Sequence, residues 1–261
     1  AKPVFVDIEA ESYNIDPNKI EELITSRTKA IIPVHLYGQM ANMNEISKIA
    51  KENSIDLIED AAQSIGANIN GLTAGSFGKM GCFSFFPTKN LGAYGDGGLI
   101  TTNDDQIAKK LFSLRNHGFS KKYHSEILGG NFRLDSIQAA ILRVKLRHLN
   151  KWISSRQNNA SIYKKFFGNQ KKTATKQNIS KISMPIEAPG YKHVYNQFVV
   201  RVTNRDELYK YLKNNHIGSE IYYPIPLHQQ PCFNANGQAN KNLVQSELAA
   251  KETIALPIYP E

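Results

Sequence analysis

IDLIEDAAQS (residues 55–64) and GCFSFFPTKN (residues 81–90) are the two stretches that decide the fold of this 261-residue chain. Each begins as a short apolar run, which is typical of a buried strand, and each continues into polar residues. The first run leads to Asp60 and Gln63, and the second leads to Lys89. Because α/β proteins bind ligands at the carboxyl ends of their strands, we expect Asp60 and Lys89 to face one site.

The neighbouring segments alternate between strand and helix patterns. Residues 30–36 form an apolar run of the buried-strand type, and Asn42 stands where a helix needs an N-terminal cap. The apolar positions of that helix fall on one face: Met43, Ile46, Ile49 and Ala50. The order strand, helix, strand predicts a mostly parallel sheet with helices on both faces. Upstream, residues 3–8 predict a further strand, and Asp16 and Pro17 predict the start of a helix.

Further helices are predicted after the second of these stretches. A strand over residues 99–102 precedes a helix that begins at Asp104 or Asp105 and ends near Leu114. The loop that follows is basic. NFRLD, at residues 131–135, then opens a long helix with one apolar face: Ile137, Ala140, Ile141 and Val144.

The last part of the chain predicts a second, smaller domain. Residues 150–167 predict the helix that joins the two domains, and residues 171–189 predict a polar loop with a short strand. Residues 195–202 alternate like a half-exposed strand, and after a helix residues 217–222 predict another strand. The sequence therefore predicts two domains: a large α/β domain at residues 1–150 and a small α+β domain at residues 151–261.

Composition narrows the class of protein. Hydrophobic residues make up 41% of the chain and charged residues 21%, as in soluble globular proteins. No apolar run approaches the roughly 18 residues that a membrane helix needs. The two cysteines, Cys82 and Cys232, are too far apart for a metal or redox motif, and two unpaired thiols fit a reducing cytosol. We therefore expect a cytoplasmic protein.

The positive charge is concentrated in the second half of the chain. Residues 1–110 hold 10 Lys and Arg against 14 Asp and Glu, whereas residues 111–261 hold 22 against 9. A basic half suits nucleic acid or a nucleoside diphosphate. Because no basic motif interleaved with aromatic residues and no recognition helix is present, we do not expect nucleic acid binding. His117 and His124 have no third ligand nearby in sequence, so we expect no metal site.

A lysine that forms a Schiff base, faced by an acid that holds a pyridinium proton, is the pairing that pyridoxal phosphate (PLP) chemistry requires. Three motifs extend this pairing: EDAAQSIGA at residues 59–67, SFFPTKNLG at residues 84–92 and GDGG at residues 95–98. In this order they resemble the PLP-dependent nucleotide-sugar aminotransferases, the DegT/DnrJ/EryC1/StrS group of fold type I. The resemblance spans the whole chain. The family pattern extends further, before Ala1, where it holds a phosphate-binding turn, and after Pro260, where it holds a helix.

The resemblance implies a role for each residue at the cofactor. Lys89 forms the Schiff base, Asp60 pairs with the protonated pyridine nitrogen, and Gln63 lies against the ring and its phenolic oxygen. Ser84 binds the cofactor phosphate, and Asn131 reaches the phosphate of the neighbouring subunit in a homodimer with shared sites. Taken singly, these residues have ordinary alternatives: a surface lysine, a helix cap, a surface amide or the end of a strand.

Three further residues match family positions near the sugar substrate: Arg133, Tyr223 and His228. Basic and aromatic groups suit a diphosphate and a base, although each of the three could equally be structural. The family activity is a two-stage amino transfer from an amino acid, glutamate in most members, to a keto group of a nucleotide-linked sugar. Such sugars serve surface polysaccharide or other glycan biosynthesis.

Three short stretches resemble members that aminate carbon 3 rather than carbon 4: residues 37–39, 122–124 and 133–135. Two other functions stay open at this point. A sugar dehydratase relative usually carries histidine in place of the lysine, and Lys89 argues against it. A non-catalytic regulatory or assembly module could keep the motifs without the activity.

Overall fold

A computed structural model describes residues 1–173, 182–234 and 242–261. These residues form eleven strands: β1 (Ala30–Ile31), β2 (Asp56–Asp60), β3 (Asn68–Ile69), β4 (Leu72–Thr73), β5 (Met80–Ser84), β6 (Gly98–Thr101), β7 (Phe119–Lys121), β8 (His124–Ser125), β9 (Tyr191–Lys192), β10 (Phe198–Arg201) and β11 (Thr253–Leu256). The same residues form seven α-helices: α1 (Met43–Glu52), α2 (Asp105–Leu114), α3 (Ser136–Leu146), α4 (Leu149–Thr173), α5 (Arg205–Asn214), α6 (Pro231–Asn234) and α7 (Val244–Glu252). Short 3₁₀ turns complete the list: Pro17–Lys19, Glu21–Leu23, Leu36–Gly38 and Leu227–Gln229.

The central sheet has the strand order β1-β2-β5-β6. Strands β1, β2 and β5 run parallel, as predicted, and Asp60 lies opposite Cys82 in the register. The edge strand β6 runs antiparallel to β5. Parallel neighbours need a crossover connection, usually a helix, whereas residues 85–97 join β5 to β6 by a loop. That loop carries Lys89, so the sheet places the lysine and Asp60 at the same edge.

Two of the helices with predicted caps, α1 and α2, are confirmed. The Asn42 side chain accepts a hydrogen bond from the Glu45 backbone N–H at the start of α1. The predicted apolar face of α1 is buried: Met43, Ile46, Ile49 and Ala50. The Asp104 side chain accepts hydrogen bonds from the backbone N–H groups of Gln106 and Ile107 at the start of α2. In both helices a polar side chain satisfies N–H groups that have no partner within the helix.

The prediction for the N-terminal segment is wrong. Residues 3–8 do not form a strand and contribute one isolated bridge, Ile8 to Ile15. The predicted helix after Asp16 is a single 3₁₀ turn, Pro17–Lys19, although Asp16 does cap it by accepting from the Asn18 N–H. Asp7 accounts for the irregular backbone of this segment. Its carboxylate points away from residues 3–8 and accepts hydrogen bonds from the backbone N–H groups of Gln245 and Ser246 at the start of α7.

The C-terminal strands differ from the prediction in partner and in burial. Residues 217–222 form only one bridge, Glu220 to Ala255, and the partner of β10 is β11. Strand β10 is buried on both faces rather than half-exposed: Phe198, Val199 and Val200. Phe198 and Val200 pack in one apolar cluster with Ile254, while Val199 packs in another with Tyr13 and Tyr37.

Helix α3 exposes the apolar face that the sequence predicts. Ile137 is 74% exposed and Val144 is 59% exposed, whereas Leu142 is buried.

Of the predicted loop at residues 171–189, residues 174–181 lie outside the described part of the chain. Helix α4 runs across the predicted domain boundary near residue 150, which stays a prediction. Among the helices of the described residues, none combines the length and the apolar composition that a bilayer crossing requires.

Candidate active site

Asp60 ends strand β2 and is fixed through its backbone. Its N–H donates to the Pro33 carbonyl at 2.9 Å, and its carbonyl accepts from the His35 N–H at 2.9 Å. One carboxylate oxygen, Oδ1, accepts from the Ala62 N–H at 3.0 Å. Within the described residues, no protein group donates to the other oxygen, Oδ2. The strand end therefore holds a carboxylate in place and leaves one of its oxygens for a ligand.

Lys89 lies in a tight turn after strand β5. Its N–H donates to the Phe86 carbonyl at 2.9 Å. Gly92 closes the turn, because a Cβ added there would lie 2.3 Å from the Pro87 carbonyl oxygen. Burial lowers the pKa of the Lys89 amine, and the nearby Asp60 carboxylate opposes this shift. A lowered pKa favours the neutral amine, which is the nucleophilic form.

Gln63 is oriented by contacts at both ends of its amide. Its Oε1 accepts from the Tyr37 backbone N–H at 2.6 Å, and its Nε2 donates to the Tyr223 hydroxyl at 3.3 Å. Burial raises the pKa of Tyr223, the hydrogen bond from Gln63 opposes this, and the negative charge of Asp60 adds to it. Asp60 thus acts electrostatically on both Lys89 and Tyr223. Four of the predicted site residues are therefore brought together: Asp60 acts on Lys89 and Tyr223, and Tyr223 accepts a hydrogen bond from Gln63.

Within the described residues, the other predicted residues make no hydrogen bond to these four. Ser84 ends strand β5, where its Oγ accepts from the Phe86 N–H at 3.2 Å. Asn131 is exposed and pairs through its backbone with Asn116, whose side chain accepts from Arg133 at 2.9 Å. Within the described residues, neither Asn131 nor Arg133 has a hydrogen bond to Asp60 or Lys89. Their roles stay predictions.

His228 is buried, and its ring Nε2 lies 3.1 Å from Glu247 Oε1 on helix α7. Its only side-chain hydrogen bond within the described residues is this one, so no contact with Asp60, Gln63 or Lys89 supports a place at the substrate. The predicted role of His228 is therefore not strengthened by the structure and stays a prediction.

Sequence reasoning missed two residues that shape this site, Glu59 and Tyr37. Glu59 is fully buried and paired with His35, and Tyr37 supplies the N–H that orients Gln63. A signal for Glu59 was available, because alternate strand residues face the same side. Glu59 therefore shares a side with the buried Leu57, and a carboxylate on a buried face needs several donors.

The donor set fits the aldehyde and the ring of pyridoxal phosphate. A partly buried amine with a lowered pKa suits an aldehyde, and the free oxygen of Asp60 suits a protonated ring nitrogen. Gln63 presents its amide, which its own hydrogen bonds hold in one orientation. The α/β sheet and the groups at its edge together indicate the class of PLP-dependent enzymes.

Comparison with known proteins places the chain within that class. The DegT/DnrJ/EryC1/StrS aminotransferase family matches residues 1–261, and the chain belongs to this PLP-dependent family. The chain is 48% identical to the pleiotropic regulatory protein of Geobacillus stearothermophilus over all of its length and 68% of that protein. It is 44% identical to the UDP-N-acetyl-3-dehydro-alpha-D-glucosamine 3-aminotransferase of Acidithiobacillus ferrooxidans, again over all of the chain and 68% of the relative.

A solved structure gives the same result. The chain superposes on S. venezuelae DesV, determined in complex with a ketimine intermediate, with a TM-score of 0.91 and 37% sequence identity. The match covers 99% of this chain and 67% of DesV. The chain thus spans about two thirds of the length of these relatives. The predicted fold class, activity class and cofactor are confirmed.

Proposed function

We propose that the protein transfers an amino group from an amino acid, glutamate in the first instance, to a keto carbon of a nucleotide-linked sugar. The observation that carries this proposal is the pairing of Lys89 and Asp60 at one sheet edge, in a chain that belongs to an aminotransferase family. The basic second half of the chain supports a substrate with a diphosphate. Surface polysaccharide or other glycan biosynthesis is the process that would use the product.

Each residue of the site has a task in this proposal. When bound, PLP supplies a ring that accepts electrons from the carbon that loses its proton. Lys89 Nζ holds the cofactor and, once free, takes a proton from one carbon and returns it to another. Asp60 Oδ2 keeps the proton on the ring nitrogen, and Gln63 Nε2 orients the ring. The phenol of Tyr223 accepts a hydrogen bond from Gln63 and lies near Asp60, and it would contact the sugar.

Carbon 3 is the position that we propose for amination. One support is the relative from Acidithiobacillus ferrooxidans, whose name states a 3-dehydro sugar and a 3-aminotransferase activity. The other is the resemblance of three short stretches to members that aminate this carbon: residues 37–39, 122–124 and 133–135. Of these, the first holds Tyr37, whose backbone N–H orients Gln63.

A substrate screen tests the proposal. The PLP-loaded protein is incubated with glutamate and either 3-keto or 4-keto sugars linked to UDP or dTDP, and the products are analysed by mass spectrometry. We expect the keto oxygen of a 3-keto sugar to be replaced by an amino group, and nuclear magnetic resonance of the product identifies the carbon. Lys89→Ala is the inactive control. Amination of 4-keto sugars alone would contradict the choice of carbon 3.

A regulatory function is the second candidate, because the relative that is 48% identical is named a pleiotropic regulatory protein. Lys89 and Asp60 are both present here, which favours catalysis. The same screen separates the two. A protein that binds PLP through Lys89 but aminates none of the sugars, with glutamate or any other common amino acid, would favour the regulatory function.

We further propose that the active form is a homodimer with shared sites. Helix α3 exposes Ile137 and Val144, and Phe132 just before it is also 74% exposed. Burying such apolar surface against a second copy is favourable. Asn131 lies at the start of this region and is exposed, so it is free to reach a phosphate in the partner's site.

Subunit mixing tests the shared site. One inactive variant carries Lys89→Ala and the other carries Asn131→Asp, whose added charge should repel a phosphate. In a mixed dimer with shared sites, one site carries both changes and the other carries neither. We therefore expect activity to return after subunit exchange. Two inactive parents that exchange subunits without any recovery would place Asn131 and Lys89 in the same subunit's site.

A further inference from the structure

Glu59, next to Asp60 in strand β2, is a fully buried carboxylate with four donors. Its Oε1 accepts from the backbone N–H groups of Phe77 and Gly78, each at 2.7 Å. Its Oε2 accepts from the Gly75 N–H at 2.8 Å and lies 3.0 Å from His35 Nε2. Burial raises the pKa of Glu59, but the hydrogen bonds from His35 and the backbone outweigh burial, so its pKa lies below the usual value. The group is therefore ionised at neutral pH.

His35 completes this arrangement from the other side. It is fully buried, and its Nδ1 accepts from the Ala41 N–H at 3.2 Å, so the ring proton is on Nε2 and points at Glu59. The backbone N–H of the same residue donates to the Asp60 carbonyl at 2.9 Å. His35 thus holds Glu59 through its side chain and Asp60 through its backbone.

Each member of the His35–Glu59 pair is connected with a residue proposed to bind the cofactor: His35 with Gln63, and Glu59 with Lys89. Two positions after His35, the Tyr37 N–H donates to Gln63 at 2.6 Å. Gly75, which donates its N–H to Glu59, packs against strand β5: a Cβ added at Gly75 would lie 2.6 Å from the Phe83 ring. Strand β5 ends at the turn that carries Lys89. A movement of Glu59 would therefore reach Gln63 through residues 35–37 and the Lys89 turn through strand β5.

We propose that the His35–Glu59 pair is a positioning element for the cofactor, which holds Asp60 and Gln63 in fixed positions relative to each other. A group at the reacting centre must be held within a fraction of an ångström, and residues behind it supply that rigidity. Of the proposed function, this inference requires only that the protein binds PLP, and not that it aminates a sugar. A wild-type protein that binds PLP but aminates no sugar would contradict the proposed function and leave this inference standing.

The first test compares two carboxylate-to-amide changes on strand β2. Glu59→Gln places an NH₂ group against N–H donors whichever way the amide turns. Asp56→Asn is the matched control, because Asp56 lies at the other end of the strand in an exposed pair with Lys79, at 2.9 Å. The readouts are the dissociation constant of PLP and the pH midpoint of its visible absorption band. Both are measured at a temperature where circular dichroism shows the folded state.

We expect Glu59→Gln to bind PLP roughly tenfold more weakly or worse, with a shifted pH midpoint, because small displacements at a reacting centre have effects of this size. The control should stay within about twofold of wild type, since exposed pairs contribute little. A Glu59→Gln protein with a lower melting temperature but the PLP affinity and pH midpoint of wild type would overturn the proposal. Equal losses in Asp56→Asn would overturn it as well.

A pair of His35 variants gives a second test that also decides the matter where Glu59→Gln does not fold. His35→Gln keeps an N–H donor for Glu59, whereas His35→Leu has a similar volume and no donor. We expect His35→Gln to keep PLP affinity within about threefold of wild type and His35→Leu to lose roughly tenfold or to fail to hold PLP at all. Loss of PLP binding by a folded His35→Gln protein would overturn the proposal, as would wild-type affinity in His35→Leu.

Discussion

Replacing Asp7 by Asn should loosen the attachment of helix α7 to the N-terminal segment. Asp7 Oδ1 accepts from the Ile8 N–H, the Ser246 N–H and the Ser246 hydroxyl at 2.8 to 2.9 Å. Its Oδ2 accepts from the Gln245 N–H at 3.0 Å and lies 3.4 Å from the Lys19 ammonium. In Asp7→Asn, whichever atom the new NH₂ group replaces, it faces at least one of these donors.

The size of the effect follows from these contacts. Losing a hydrogen bond to a buried charged acceptor costs about 1.5–3 kcal/mol. Removing a negative charge from a helix N-terminus costs about 0.3–1 kcal/mol more. Asp7 is only 5% exposed, so solvent screens these interactions little. We therefore expect Asp7→Asn to lower the free energy of unfolding by about 2–4 kcal/mol at pH 7.

The effect should depend on pH with a definite sign. Burial raises the pKa of Asp7, but the hydrogen bonds from Gln245, Ser246 and Ile8 outweigh burial, so the folded-state pKa is lowered. A lowered carboxyl pKa stabilises the fold above the unfolded value of about 3.9, and this stabilisation is lost as pH falls through the folded pKa. The difference between wild type and Asp7→Asn should therefore narrow below about pH 4.

Urea unfolding at pH 7, 5 and 3.5 measures this difference. Asp104→Asn is the control, because Asp104 caps helix α2 through one oxygen, Oδ1, and Asn caps a helix about as well as Asp. We expect the control to change the free energy of unfolding by less than about 0.5 kcal/mol. An equal loss for Asp7→Asn at pH 7 and at pH 3.5 would refute the reasoning, as would a change within the control's range.

Three further changes test the site itself. Lys89→Ala should abolish turnover and the visible absorption of bound PLP that borohydride removes, because one amine anchors the cofactor and moves the proton; steady-state transamination by this variant would show that another group does both. Asp60→Asn should keep the fold by circular dichroism and slow turnover by roughly 10²–10³-fold, whereas a rate within about twofold of wild type would mean that another acid serves the ring nitrogen. Gly92→Ala should weaken PLP binding roughly tenfold, since its Cβ would lie 2.3 Å from the Pro87 oxygen and open the lysine turn. Gly218→Ala, with no heavy atom within 4 Å of the added Cβ, is its control and should bind PLP as wild type does.

The parts of the fold that the sequence predicts well are those decided by local patterns. Helix α1 is predicted by its capping residue and by an apolar face a few residues further on, and helix α2 is predicted by its capping residue. The sheet edge follows from two short apolar runs, one that ends in Asp60 and one that is followed by the turn with Lys89. Neighbouring residues determine these features, so one sequence is enough to predict them.

The parts that the sequence does not predict depend on distant residues. Asp7 leaves its predicted strand because its partners are 238 and 239 positions away. The burial of both faces of β10 depends on Tyr13, Tyr37 and Ile254, which no local pattern connects with it. His228 has a buried position because Glu247 lies across from it on α7. Periodicity predicts that a face is apolar, but not what covers it, as the exposed Ile137 shows.

Residues 36–39 connect Gln63 with the C-terminal part of the chain. The Gly38 carbonyl accepts from the Val194 N–H at 2.9 Å, and Gln39 Nε2 donates to the Ile186 carbonyl at 3.0 Å. The Tyr37 hydroxyl donates to the Tyr222 carbonyl, while the N–H of the same residue orients Gln63. The Gln63 amide is therefore fixed to a segment that the C-terminal part holds from three points. A change in the position of that part would therefore reach Gln63 by two routes, through the Tyr37 N–H and through the Tyr223 hydroxyl.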